Sequence, residues 1–227
     1  KRLSKRHAAT SLNAYKEMGF TKETIINALA LLGWSTENEI FSINELIESF
    51  KLENVQKAAA VFDLKRFNWV SSQQLSKLSE NDFFEAIKPF MEDENINENS
   101  PNYKKILLAM RTAKTNLKDI AQATRPFFFE LDGYDEKGVK KFLNEALETL
   151  TFASEVLSKV SEWNETELDM ALIKVRDYFN LPIPKVNQPM RIALVGSTVS
   201  PSLGLTLELF GKDKSLERIQ KAIDFIS

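Results

Sequence analysis

Basic side chains, which bind phosphate groups directly, open this sequence. The first seven residues read KRLSKRH, with four basic side chains and no acidic one. Other basic spots stand at Lys104 and Lys105, Arg111 and Lys114, Lys140 and Lys141, and Arg191. Clusters of this kind hold the phosphates of nucleotides or nucleic acids, or they are simply solvated surface. From the residues alone, both interpretations stay open.

The composition excludes most covalent and metal chemistry. The 227 residues contain no cysteine and one histidine, His7. Disulfides, thiolate metal sites, a cysteine nucleophile and His–His metal pairs are therefore ruled out, and an interior nucleophile has no histidine base. The Gly/Ser/Pro-rich stretch GSTVSPSLG at 196–204 lacks the Lys-Ser/Thr ending of a phosphate-binding loop. The residues thus indicate a binding module rather than a complete active site.

The bulk composition is that of a folded globular chain, with 43% hydrophobic and 27% charged residues. Because the net charge is −2, contacts with nucleic acid would have to come from local basic patches. No apolar run reaches the roughly 18 residues of a membrane span, and no signal-peptide pattern opens the chain. The lack of cysteine fits a reducing compartment, and we predict a cytoplasmic protein. The chain has no initiator Met, so we expect a fragment.

Hydrophobic residues recur with helical rather than strand spacing along most of the chain, which predicts a mainly all-α fold. We predict helix N-caps at Ser42, Ser79, Asn164 and Ser215, and a helix end at Gly211.

Four stretches carry more specific predictions. The pattern predicts one continuous helix from Pro101 through Ile120 and a break over 125–135. It also predicts a single helix around 137–159. The proline-rich stretch 181–189 is predicted to be a connector that no helix crosses.

The opening stretch KRLSKRHAATSLNAYKEMGF resembles the KMSKS-type signature of class I aminoacyl-tRNA synthetases, in the form found in bacterial glutamyl-tRNA synthetases. The resemblance continues through ETIINALALLGWS, FSINELIESF and VFDLKRFNWV, and returns in QPMRIALVGSTVSPSLGLTLELFGKDKSLERI. Each block alone is weakly specific. Together, in the family's order and spacing, they cover nearly the whole chain and are strongly specific.

The resemblance implies a division of labour along the chain. Residues 1–7 would be the remnant of the KMSKS-type loop, and 8–75 a helical region that contacts the tRNA stem. Residues 76–133 and 134–227 would be two helical lobes forming the anticodon-binding cage. The family's Rossmann domain, which holds the glutamate pocket, precedes the loop and is not in this sequence. We therefore expect this fragment alone to be inactive, with no cofactor bound.

By resemblance, the KMSKS-type loop contacts ATP, which the full-length enzyme uses with Mg²⁺. The matching positions are Arg2, Leu3, Ser4, Lys5 and Arg6. A mobile basic loop of this kind stabilises the charge that spreads over the leaving pyrophosphate. Arg2 replaces the lysine usual at the first basic position, which keeps the charge but not the compact ammonium geometry.

The resemblance also implies the anticodon-binding residues. Arg191 matches a family position that contacts the first anticodon base, and Ser200, Pro201 and Leu203 lie in the loop that meets the middle base and its neighbour. For Pro201 and Leu203, an ordinary helix entrance is an equally good interpretation.

A third position bears on tRNA choice. Some family members read the last anticodon base with an Arg at the place aligned with Ala113, which cannot make that contact. The enzyme would then also charge the glutamine tRNA, unless Arg111 or Lys114 substitutes for the missing guanidinium.

The implied partners are the glutamate tRNA and, under the Ala113 hypothesis, the glutamine tRNA, with ATP and glutamate bound through the missing domain. We expect no membrane partner, and we expect the protein to be a monomer. The alternative is a non-catalytic helical RNA-binding or scaffold protein. A glutaminyl-tRNA synthetase fits less well, because that family's anticodon part is built from β-barrels.

Overall fold

The computed structural model describes residues 11–34, 36, 38–56 and 62–227. Within these ranges every regular element is a helix, and the only β-type pairing is an isolated bridge between Trp34 and Val55. The predicted all-α fold class is therefore confirmed. The described residues divide into two compact units. Unit 1 contains those up to Asn99 with Leu107–Gln122, and unit 2 contains Ser100–Ile106 with Ala123–Ser227.

Five helices lie wholly in unit 1, and two more, α6 and α7, are divided between the units. In chain order they are α1 Leu12–Glu17, α2 Lys22–Ala30, α3 Ile43–Ser49, α4 Leu64–Lys77, α5 Glu80–Asp93, α6 Tyr103–Met110 and α7 Leu117–Phe128, with a 3-10 turn at Leu52–Asn54.

Several of these helices begin at side-chain caps that the sequence predicted. Ser42 and Glu45 form a reciprocal capping box at α3, in which the Ser42 N–H donates to Glu45 Oε2 at 2.6 Å. Ser79 caps α5 by accepting a hydrogen bond from the N–H of Asp82.

The predicted continuous helix from Pro101 to Ile120 is wrong. Pro101 lies in a turn, α6 ends at Met110, and turns occupy 111–116 before α7 begins. Asn116 then caps α7, because its Oδ1 accepts from the N–H of Asp119 at 2.8 Å. A short polar side chain that satisfies the free N–H groups of a new helix favours this restart over continuation.

Unit 2 holds the remaining helices, which share one hydrophobic core. They are α8 Glu136–Gly138, continued by a π-helical segment Val139–Leu143, then α9 Leu147–Ser158, α10 Glu165–Phe179, α11 Ile183–Val195, α12 Leu203–Phe210 and α13 Lys212–Ile226. The predicted single helix around 137–159 is thus wrong, since 144–146 separate two segments. The predicted cap at Asn164 and helix end at Gly211 are confirmed.

Proline did not end helices where the sequence suggested. Helix α7 runs on through Pro126, so no break begins at 125. Helix α11 crosses the supposed connector, with Pro182 as its N-cap and Pro184 in its first turn, and it contains Pro189. Proline costs little at a helix start, where N–H groups have no intrahelical acceptor. Burial of Pro189 compensates for the hydrogen bond it cannot form inside α11.

The predicted cap at Ser215 is also wrong. Helix α13 begins at Lys212, directly after Gly211 in a positive-φ conformation, and Ser215 lies inside the helix. Its buried hydroxyl donates to the carbonyl of Leu207 at 3.3 Å. The nearby Arg218, only 2% exposed, donates to the carbonyls of Leu194 and Phe129, which ties α13 to the ends of two other helices.

An exposed charge cluster joins the segment after α7 to α13. Glu130 accepts hydrogen bonds from Lys214 and from Lys221, the latter at 3.1 Å. These two ammonium groups lower the pKa of Glu130 to about 2. No helix in the described part of the chain is both long and apolar enough to cross a membrane.

The lowered pKa of Glu130 predicts how the cluster contributes to stability with pH. The stabilisation is present above the unfolded-state pKa of about 4.3 and is lost as pH falls toward 2. Because the cluster is exposed, we expect Glu130→Gln to lower the unfolding free energy by only about 0.5–1 kcal/mol at pH 7. Urea unfolding should show this difference roughly halved at pH 3. An equal difference at both pH values would contradict the assignment.

Candidate nucleic-acid interface

Arg191, on helix α11, is joined to the loop that precedes α12. Its Nε donates to Ser200 Oγ at 3.1 Å, and its Nη2 donates to the carbonyl of Pro201 at 3.1 Å. The sequence-predicted residues Arg191, Ser200 and Pro201 are therefore brought together. One edge of the guanidinium group is held by this loop.

The other edge of the Arg191 guanidinium has open donors. An arginine carries five N–H donors in a fixed plane. Beyond the two hydrogen bonds to the loop, Arg191 has no hydrogen-bond partner among the described residues. Burial lowers its pKa, but arginine stays protonated at neutral pH. The site thus offers a half-buried, charged and oriented fork of donors.

The loop between α11 and α12 is fixed at its start by close backbone contacts. Gly196 ends α11 at φ +72°, and its carbonyl accepts from the N–H of Asp135 at 2.8 Å. A Cβ at Gly196 would lie 2.8 Å from the carbonyl oxygen of Gly133. Only glycine accommodates both the positive φ and this contact.

Two carboxylates of helix α10 hold the end of the loop. Ser202, the N-cap of α12, donates its hydroxyl to Glu165, and Asp169 Oδ1 accepts from the N–H of Gly204 at 3.2 Å. Glu165 and Asp169 are four residues apart and so lie on one face of α10. Negative charge at a helix N-terminus is favourable, because the N–H groups there carry partial positive charge.

The other predicted members of this site differ in exposure. Ser200 and Pro201 are half-buried, whereas Leu203 is only 2% exposed and packs in the core of unit 2. Its side chain belongs to the helix entrance. Contact between this position and a base would have to come from the backbone or from neighbouring residues.

Arg111, Ala113 and Lys114 lie in the turns between α6 and α7, in unit 1. The Arg111 side chain donates from Nε to the carbonyl of Leu75 at 2.8 Å and from Nη2 to that of Leu78. The guanidinium also lies 5.1 Å from the centre of the Phe83 ring. It therefore caps the C-terminal end of α4, while Ala113 and Lys114 are half-exposed.

The predicted KMSKS-type loop residues Arg2 to Arg6 lie outside the described residues. Among the residues described, no group of three Asp, Glu or His side chains is placed to hold a metal ion.

Sequence reasoning missed the residues that hold the loop: Glu165, Asp169, Gly204 and Thr206. The available signal was faint. One Thr and one Glu stand in the otherwise apolar helix LGLTLELF, and two acids stand four residues apart after the Asn164 cap. Neither pattern identifies the partner on another helix.

Two protein-family models match the chain. Residues 82–223 match the model of the anticodon binding domain family, and residues 1–69 match that of the catalytic domain of class I tRNA synthetases for Glu and Gln. The first match covers more than half of the chain and includes Arg191 and the loop to α12. The chain belongs to this anticodon-binding domain family of class I tRNA synthetases.

Individual relatives narrow the assignment to the glutamyl type, as the sequence predicted. Glutamate–tRNA ligase 1 of Syntrophus aciditrophicus (strain SB) is 34% identical over 99% of this chain and 48% of its own length. Glutamate–tRNA ligase 2 of Thermoanaerobacter pseudethanolicus is 33% identical, with the same two coverages. The chain thus spans about half the length of the curated relatives it matches.

Solved structures agree. A crystal structure of a glutamate tRNA ligase from Elizabethkingia meningosepticum, in complex with its amino acid, matches with a TM-score of 0.76 and 29% identity. The match covers 94% of this chain and 43% of that one. The glutamate-tRNA synthetase of Elizabethkingia anophelis gives a TM-score of 0.73, also at 29% identity, over 92% of this chain and 42% of its own.

The tight contact at Gly204 predicts a reversal of the usual effect of alanine in a helix. A Cβ there would lie 2.5 Å from Asp169 Oδ1 and 2.7 Å from the carbonyl oxygen of Glu165. We expect Gly204→Ala to lower the unfolding free energy by about 1–3 kcal/mol, as overpacking does, although alanine is the better helix former.

The matched control is Gly133→Ala, since a Cβ at that position meets nothing within 4 Å. Urea unfolding should place this variant within about 0.5 kcal/mol of the parent. If the unfolding free energy of Gly204→Ala equals that of the control, α12 does not lie as close to α10 as the structure indicates.

Proposed function

We propose that this chain is the tRNA-binding portion of a glutamate–tRNA ligase. In this proposal, the surface around Arg191, Ser200 and Pro201 binds the anticodon, with Leu203 at its edge, and residues 8–75 contact the tRNA stem. The observation that carries it is that the anticodon-binding family match includes a guanidinium held along one edge and open along the other.

RNA chemistry supports this assignment. Anticodon bases are single-stranded, so they can be splayed out and read on their edges. A planar guanidinium donates two parallel hydrogen bonds to base acceptors, and such a pair contributes about 1–3 kcal/mol of discrimination. Because Ser200 and Pro201 fix the plane of Arg191, less rotamer freedom is lost when a base binds.

Exposed lysines provide the contacts with phosphates. Lys140 and Lys141 stand on the π-helical segment that packs against α11, where a Cβ on Gly138 would lie 3.0 Å from Ile192 Cδ1. Among the described residues, neither lysine forms an ion pair with a carboxylate. Both are therefore available to neutralise phosphates close to the helix that carries Arg191.

For the whole enzyme we propose the activity for which the relatives are named. In this proposal it attaches glutamate to its tRNA in two steps: ATP, with Mg²⁺ bound, and glutamate form a glutamyl-adenylate with release of pyrophosphate, and the glutamyl group is then transferred to the tRNA with release of AMP. In this proposal, Arg2 to Arg6 contact the ATP phosphates and the enzyme is a cytoplasmic monomer. The proposed divisions at 7, 75 and 133 separate the ATP loop, the stem-contact region and the two anticodon lobes.

The proposal predicts salt-dependent binding of a glutamate tRNA transcript by the 227-residue chain. The logarithm of the association constant should fall with the logarithm of salt concentration, with a slope of about −0.9 per phosphate contacted. Lys140→Ala combined with Lys141→Ala should make that slope less steep, by about 1–2. Fluorescence anisotropy titrations at several KCl concentrations measure both quantities.

The matched control is the pair Lys159→Ala and Lys174→Ala, which are exposed lysines at the C-cap of α9 and on α10. This variant should keep the parental slope. An absence of tRNA binding at low salt, or a flat salt response of the parent chain, would refute the proposal.

We further propose that the full-length enzyme also charges the glutamine tRNA. Ala113 offers no donor for the last anticodon base, and the commitment of the Arg111 guanidinium to Leu75 and Leu78 supports the view that Arg111 does not substitute. Lys114 supplies at most a point charge rather than a planar fork.

Aminoacylation by the full-length enzyme tests this directly. The parent should charge both transcripts, and Ala113→Arg should shift preference toward the glutamate tRNA by roughly tenfold, the effect of one bidentate contact. Lys114→Arg, which adds a guanidinium one residue away, is the control and should leave the preference unchanged. A strong preference of the parent enzyme for the glutamate tRNA would overturn the hypothesis.

A further inference from the structure

Thr206 is a fully buried hydroxyl on helix α12, in contact with the loop that holds Arg191. It is 0% exposed, and its Oγ1 lies 3.1 Å from Ser200 Oγ and 2.9 Å from the carbonyl oxygen of Ser202. The contact with Ser200 links this buried hydroxyl to the residue that accepts a hydrogen bond from Arg191. A buried hydroxyl kept on an otherwise apolar helix face needs such partners, because burying it without a hydrogen bond is costly.

The Ser200 hydroxyl has three hydrogen-bond partners, which lie on α11, on α12 and in the loop between them. Its oxygen has two acceptor positions, and these face Arg191 Nε and Thr206 Oγ1, both at 3.1 Å. Its single proton points to the carbonyl of Pro201 at 3.0 Å. The same carbonyl accepts from Arg191 Nη2. The single Thr206 proton, shared between Ser200 Oγ and the carbonyl of Ser202, completes the hydrogen bonds of Ser200 and restrains the edge of the guanidinium that Ser200 holds.

Loss of the Thr206 hydroxyl would free this arrangement without touching Arg191. One acceptor position of Ser200 would become vacant, and its hydroxyl could rotate away from the geometry that receives Arg191 Nε. The hydrogen bonds from Ser202 to Glu165 and from Gly204 to Asp169 would remain, because the Thr206 side chain takes no part in them. The loop would stay in place while the plane of Arg191 became less fixed.

We propose that Thr206 is a positioning residue for reading of the first anticodon base, acting through Ser200 on the guanidinium plane of Arg191. This inference rests on the proposed function. It assigns a specificity role to a residue that touches no RNA, and it predicts an effect on discrimination between bases rather than on overall affinity.

The test measures a ratio of affinities with the 227-residue chain. The probes are an anticodon stem-loop RNA of the glutamate tRNA and the same RNA with the first anticodon base changed. We expect Thr206→Val to lower the ratio by roughly threefold to tenfold, the effect of losing one neutral hydrogen bond. Thr206→Ser, which keeps the hydroxyl, should restore the parental ratio. Thr149→Val makes the same change at a buried residue of α9 and should leave the ratio unchanged.

Each outcome separates the inference from the proposed function. If the parent chain does not distinguish the two RNAs, the proposed reading by Arg191 fails. If the parent distinguishes them and Thr206→Val does so equally well, the positioning role is overturned while the function stands. Should Thr206→Val bind neither RNA, Thr206→Ala removes the same hydroxyl and leaves the hydrogen bond between Arg191 and Ser200 in place. An unchanged ratio for that variant overturns the inference, and a lowered ratio supports it.

Discussion

Two hydrogen bonds from one edge of the Arg191 guanidinium, to Ser200 and to the carbonyl of Pro201, join helix α11 to the entrance of α12. They use part of a rigid fork and leave its other donors without a hydrogen-bond partner among the described residues. A guanidinium free to rotate would offer the same charge but would lose more freedom on binding. The partial burial of Arg191 strengthens its remaining hydrogen bonds, since less water competes for them. Orientation and partial dehydration together make this residue suited to recognising a base edge rather than only a phosphate.

This arrangement depends on how α12 is held. Helix α10 places Glu165 and Asp169 against the first turn of α12, and Gly204 allows a separation that any side chain would prevent. At the other end of the loop, Gly196 turns the chain with a positive φ and bonds to Asp135. The loop is thus short and fixed at both ends, and it consists of Gly, Ser, Thr and Pro apart from the exposed Val199. Such a surface lets backbone groups approach a base closely.

Local signals predicted much of the fold, and contacts between helices account for two of the wrong predictions. The caps at Ser42, Ser79 and Asn164 were predictable because each acts within three residues of its own helix. Helix α11 was not, since its first-turn prolines are tolerated and burial of Pro189 compensates for its missing hydrogen bond. Ser215 resembles a cap in sequence, yet its partner is the carbonyl of Leu207 on α12.

The residues of the site likewise include some that were predicted from the sequence and some that were not. Arg191, Ser200 and Pro201 were found through family resemblance, and the structure places them in contact. Thr206 was not found, because its role lies in contacts that appear only when α11 and α12 pack together. Sequence spacing could not foresee the Arg111 contacts either, since the carbonyls it caps belong to a helix more than thirty residues earlier in the chain.

A double-mutant cycle between Arg191 and the first anticodon base tests the central claim most directly. It compares the parent chain and Arg191→Ala, each with the glutamate tRNA and with a tRNA changed at that base. Direct reading predicts a coupling free energy of about 1–3 kcal/mol, so that the base change matters to the parent but hardly to the variant. Effects of the two changes that add to within about 0.5 kcal/mol would mean that Arg191 does not contact this base and would contradict the account.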